Sequence, residues 1–209
     1  MTTNMNLKDI EKKVFSSYFN DGLWDIYGAF LILGFGLSMI SSWDYLMIPM
    51  ATVAVVLLLF RPRIIKPRLG MVKFSIERQV KTKKAKIIAF IILTCTALLG
   101  LVFFILFSTN TAPEWLDNWM ANYFFAAFGG IQAIFVTIAA YVVGVWRYYV
   151  YAALIFLAYV ITGILRPYDM EYIPILLAGS LMLIAGAAIL TRFLRKYPLP
   201  PKELDSASR

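Results

Sequence analysis

The sequence predicts an all-α membrane protein: a bundle of six transmembrane helices behind an N-terminal interfacial amphipathic helix, with both termini cytoplasmic. Three observations predict it. Of 209 residues, 61% are apolar and 15% charged, and the mean hydropathy is +0.74. Soluble domains run at roughly half apolar and a quarter charged, so lipid must solvate most of these side chains. Apolar runs of membrane-crossing length recur along the chain. The basic residues gather in alternate loops. β-barrel strands would be about ten residues of strict alternation, which no run shows.

Residues 1–22 form an interfacial N-terminus. Within 6–19, Leu7, Ile10, Val14 and Tyr18 fall at helical spacing, with Lys8, Asp9, Lys12, Lys13 and Ser16 opposite. Such a helix lies in the membrane surface, as an anchor or as a lipid sensor or gate flap. No apolar core of a cleaved signal peptide is read here, so the first span is expected to act as the targeting signal.

The six-helix domain covers 23–196. Its spans are expected at 24–41, 45–60, 87–107, 123–145, 148–165 and 172–191. Span 87–107 holds no charge, and at 1.5 Å per residue it covers about one hydrocarbon core, roughly 30 Å. The first two spans are separated by Ser42, Trp43 and Asp44 alone, a tight hairpin. Pro49 is expected to kink the second span. Pro174 opens the sixth, where it costs little. Residues 197–209, with three prolines, form a polar tail.

Orientation follows from charge. The loop 61–86 holds ten Lys/Arg and one acid, Glu77. Nineteen of the twenty basic residues fall on one side of a six-span arrangement. By the positive-inside rule that side is cytoplasmic. Trp24 and Trp146 then lie at the inner boundary and Trp43, Trp115 and Trp119 at the outer one, as an aromatic belt. Within the loop, Val72, Phe74 and Ile76 alternate with polar residues, and Pro67 and Gly70 read as a turn. A small hairpin over 63–76 is expected, with 77–86 extending the third helix inward. Arg61, Arg63, Lys66, Arg68, Lys73, Lys81, Lys83 and Lys84 are candidates for anionic lipid headgroups, or serve topology alone.

The chemistry is narrow. There is no His and one Cys, Cys95, in an apolar run. His-based acid–base work, Ser-His-Asp and Cys-His arrangements and His/Cys metal sites are excluded. No catalytic residue, cofactor or metal is expected. No phosphate loop or nucleic-acid signature occurs, and the basic pI of about 9.6 reflects the membrane rule, not a nucleic-acid partner.

The middles of all six spans lack Asp, Glu, Lys and Arg, which argues against a proton-coupled transporter or pump. Asp25, at the inner end of span one, and Arg147, between spans four and five, are expected at one depth. Their pairing would be an inner gate or headgroup site, or an interfacial ion pair that holds helices in register. Gln132, Thr94, Thr96 and Thr137 are the mid-span polar groups that would line a pore or glue helices. Ala126, Gly129, Gly130, Ala140 and Gly144 give span four a small-residue face for close packing, central to the bundle or at an interface with a protein partner or second copy. The outer acids Glu114, Asp117, Asp169 and Glu171 would form a cation vestibule or simply complement the positive-inside bias.

Two stretches, YFNDGLWDIYGAFLILGFGL and PRLGMVKF, resemble segments of small bacterial multi-spanning membrane proteins of unassigned function. The resemblance covers at most the first half of the chain. It implies a bacterial cytoplasmic membrane and no mechanism.

From the residues themselves two functions are expected. One is a non-enzymatic permease or channel component for a neutral or lipid-like solute. The other is an assembly or regulatory subunit that binds a protein partner or anionic lipid. A continuous cavity reaching Gln132 would favour the first, and a solid bundle with an exposed small-residue face the second.

Overall fold

Long apolar runs have one stable solution in lipid, the helix, because every backbone N–H and C=O must be satisfied within the segment. A computed structural model describes residues 19–40, 44–69 and 113–198, with scattered positions between 80 and 109. Among the described residues the protein is helical and has no strand. Five helices are described in full: α1 (Leu23–Ser38), α2 (Met47–Leu69), α3 (Glu114–Val143), α4 (Arg147–Leu165) and α5 (Tyr172–Lys196). Four of them, α2 to α5, are long and apolar enough to cross a membrane, and α1 is a shorter apolar helix. The described positions of the third expected span, among them Ile87, Phe90, Thr94, Leu98 and Leu101, are helical and exposed. The N-terminal amphipathic segment 6–18 and the tail beyond residue 198 lie outside the described residues.

α1 sits between α2 and α5, α5 packs on α4, and α4 carries α3. Contacts set the relative directions. Gly186 approaches Asp25 and Gly179 approaches Leu33, so α5 runs antiparallel to α1. Asp25 meets Arg147 and Phe35 meets Tyr159, so α4 runs parallel to α1.

Glycine makes the α1–α5 seam. A Cβ on Gly186 would lie 2.9 Å from Ile26 N, and one on Gly22 would lie 2.4 Å from the Gly186 carbonyl. Gly22 also has φ 78°, a left-handed turn that carries the chain into α1. The core centres on Tyr159 of α4, fully buried with Ala29, Ile155 and Ile175. Phe35 of α1 and Phe128 of α3 meet its ring at 5.5 Å each, joining three helices. A second cluster, Leu23, Ile65 and Phe193, ties α1, α2 and α5 near the ionic end.

Several sequence expectations are corrected. Span two does not end at residue 60: α2 continues to Leu69 through Pro62 and Pro67. Residues 63–69 are therefore helical, not one arm of a hairpin; the remainder, 70–76, lies outside the described residues. Each proline removes one backbone hydrogen bond. The helix persists because Ile65 is 1% exposed in the second cluster and Arg68 bonds to α5. Pro49 is the third residue of α2, where its missing N–H has no partner to lose, rather than the site of a mid-span kink. Span four begins nine residues early, at Glu114, because the Pro113 carbonyl accepts from Leu116 N at 2.8 Å and nucleates the first turn. Among the described residues α3 packs mainly on α4. Gly144 ends α3 at φ 72°, and among the described residues nothing lies within 4 Å of a built Cβ.

Candidate functional site

Most polar side chains of a membrane bundle must find partners inside it. Here they converge where α1, α2 and α4 meet. Asp21 precedes α1 and caps it, its Oδ1 accepting from Leu23 N at 3.0 Å. Its Oδ2 accepts from Arg61 Nε at 2.6 Å. One turn further, Asp25 accepts a fork from Arg147, Nε to Oδ1 at 2.7 Å and Nη2 to Oδ2 at 2.9 Å. Arg147 Nη2 also donates to the Phe19 carbonyl at 2.9 Å and Nη1 donates to Asn20 Oδ1. Both carboxylates are wholly buried, while Arg61 and Arg147 keep a small exposed edge. The bidentate, charge-assisted Asp25–Arg147 pair fixes geometry as well as energy.

Aromatic rings enclose the pairs. The Arg61 guanidinium lies 5.4 Å from the Phe19 ring and 5.5 Å from the Trp24 ring, and Arg147 lies 5.0 Å from the Tyr148 ring. Cation–π contacts strengthen when desolvated. Burial pushes the Asp21 carboxyl above its ordinary value of 3.8, against the opposing pull of Arg61.

The expected site residues divide sharply. Asp25 and Arg147 come together. Gln132 donates from Nε2 to the Tyr159 hydroxyl at 3.0 Å, so its amide joins α3 to α4. Thr137 is exposed. Thr94 is exposed and donates to its own helix, to Phe90 O at 2.9 Å. Thr96 lies outside the described residues. On α3, Gly129 and Ala140 are buried and Ala126 and Gly130 half-buried. A Cβ on Gly129 would lie 2.4 Å from Tyr159 Cβ. That part of the small-residue face packs against α4.

Two headgroup candidates are also reassigned. Arg61 pairs with Asp21. Arg68 donates from Nη1 to the Tyr197 and Leu194 carbonyls, at 2.6 and 3.3 Å, closing the end of α5. A cation there answers the unsatisfied carbonyls and the negative helix terminus. Arg63 is exposed, 5.1 Å from the Phe60 ring. Lys83 is exposed. Lys73, Lys81 and Lys84, and the side chain of Lys66, lie outside the described residues.

Sequence reasoning missed Asp21 and Tyr159. A signal existed for Asp21: it and Arg61 flank the two expected spans 24–41 and 45–60, so a hairpin brings both to one end. Tyr159 gave no local signal among twelve tyrosines.

At the opposite end, an open depression of about 380 Å3 lies between α3 and the end of α4, lined by Asp117, Met120, Ala121, Phe124, Phe125 and Arg166. At the same end, Thr162 donates to the Glu171 carbonyl at 2.8 Å and binds the α4–α5 turn. Among the described residues, no three His, Cys, Asp or Glu side chains gather as a metal site needs.

No family model, curated protein or solved structure matches this chain. Four helices long and apolar enough to cross a membrane fit a helical protein of membrane type.

Proposed function

We propose that the chain is a non-enzymatic, membrane-embedded assembly or regulatory subunit, acting through contacts of its outer surface with lipid or a protein partner. The reading includes six spans, both termini on the cytoplasmic side, and a bacterial cytoplasmic membrane. The observation that carries it is that, among the described residues, three pairs of interior polar side chains engage one another. Asp21 holds Arg61, Asp25 holds Arg147, and Gln132 holds Tyr159. A permeation path needs polar groups free to exchange partners with a solute; these are committed to one another.

One observation favours transport of a neutral or lipid-like solute instead. α1 has 16 residues, about 24 Å at 1.5 Å per residue, less than a hydrocarbon core. Its ionic end would then lie near the hydrocarbon boundary, where an inner gate would be placed.

Cysteine accessibility separates the two. In a Cys95→Ala background in proteoliposomes, Gln132→Cys should resist a small membrane-impermeant thiosulfonate from both sides. Trp146→Cys, at a position 77% exposed, should react. Reaction at position 132 would overturn the closed-bundle reading and favour the permease.

A further inference from the structure

The depression at the far end of the bundle has a chemistry of its own. Asp117 is exposed in the first turn of α3. Arg166 follows the last residue of α4. Its Nη1 donates to Ala121 O at 3.0 Å, and its guanidinium lies 6.0 Å from the Phe125 ring. Ala121 stands one helical turn beyond Asp117, so the carboxylate and the guanidinium border the same hollow. They do not pair: among the described residues the ion pairs are those of Arg61 with Asp21 and Arg147 with Asp25. Met120, Phe124 and Phe125 line the apolar remainder. Its size falls within the roughly 300–1,000 Å3 of small-ligand sites.

Opposite charges held apart over an apolar floor match a zwitterion with a tail. We infer that this hollow binds an aminophospholipid, its primary ammonium at Asp117, its phosphodiester at Arg166 and the start of its acyl chains along Phe124 and Phe125. Arg166 offers several N–H donors to phosphate oxygens, which a guanidinium bonds as a fork. A carboxylate accepts hydrogen bonds from a primary ammonium, whereas a trimethylated one has no N–H to donate. A phosphatidylglycerol headgroup carries no cation for Asp117. The site therefore discriminates by headgroup, and it lies at the end of the bundle away from the basic cluster that general attraction to anionic lipid would use. The inference rests on the membrane-embedded reading but not on the closed interior.

The test is lipid retention measured by native mass spectrometry, on full-length protein loaded with phosphatidylethanolamine, phosphatidylcholine or phosphatidylglycerol. The wild type should retain phosphatidylethanolamine about tenfold more tightly than either other lipid. Asp117→Asn and Arg166→Gln should each abolish that preference. Arg166 also holds a backbone carbonyl, so Asp117→Asn, at an exposed position, separates binding from folding. Equal retention of the three lipids, or an unchanged preference in Asp117→Asn, overturns the inference. Soluble glycerophosphoethanolamine binding as tightly as the lipid would also overturn it, by making the tail irrelevant. A chain that fails to float with liposomes overturns the membrane reading itself, and this inference with it. A floating chain without headgroup preference overturns this inference alone.

Discussion

Removing either member of the Asp25–Arg147 pair strands the other, and the structure says which loss is worse. The Asp25 side chain has no exposed surface, whereas that of Arg147 is 18% exposed. Breaking a buried pair from one side typically costs about 3–5 kcal/mol, because a charge is left uncompensated. Arg147→Met leaves Asp25 with no solvent, so the full range of about 3–5 kcal/mol is expected. Asp25→Leu leaves a guanidinium that still donates to Phe19 O and Asn20. Its long stem lets the head reach water, which lowers the expected cost to about 2–3 kcal/mol. The double variant replaces both charges by apolar groups of similar volume and should lie within about 1 kcal/mol of wild type. The assay is reversible unfolding in mixed micelles, read as a double-mutant cycle. Additive single effects, or Asp25→Leu costlier than Arg147→Met, would refute the reasoning.

Three further outcomes follow from the packing and the charge. Gly129→Ala places a methyl against Tyr159 Cβ and should cost about 1–3 kcal/mol by overpacking, whereas Gly144→Ala acts only through its positive φ and should cost about 1 kcal/mol; thermal unfolding of the two variants checks the order. Gln132→Leu should cost about 1–2 kcal/mol by leaving the buried Tyr159 hydroxyl without its partner, and Tyr159→Phe added to it should restore most of that loss on the same assay. Because burial raises the Asp21 carboxyl, the folded state holds that proton more tightly than the unfolded one. Asp21 therefore contributes stability below its ordinary value of 3.8 that is lost as pH rises through the raised folded value. Melting temperature against pH should fall more steeply for wild type than for Asp21→Asn over that range, and parallel profiles would contradict it.

The helical class was legible because it is written in composition: membrane-length apolar runs permit little else. The depth match of Asp25 and Arg147 was legible because both flank apolar runs, so span counting alone brings them to one end. The extension of α2 was not. Two prolines and a run of bases read as a loop locally, and the contacts that keep the segment helical come from Phe193, Leu194 and Tyr197, over 120 residues away. The fate of the α3 small-residue face was hidden for a similar reason. Small residues at four-residue spacing announce a close approach but not its partner, and Tyr159 was the partner. Arg68 was indistinguishable in sequence from the other bases of its loop; only tertiary geometry shows that the fold itself consumes it.

The central claim is that the interior pairs Asp21–Arg61, Asp25–Arg147 and Gln132–Tyr159 are committed to one another. A structure determined in lipid nanodiscs tests it most directly. Asp25 should be seen forked to Arg147, and Gln132 bonded to Tyr159, with no solute or water column between α1, α3 and α4. A hydrated cavity reaching Gln132, or Arg147 turned away from Asp25, would contradict the claim and restore the permease.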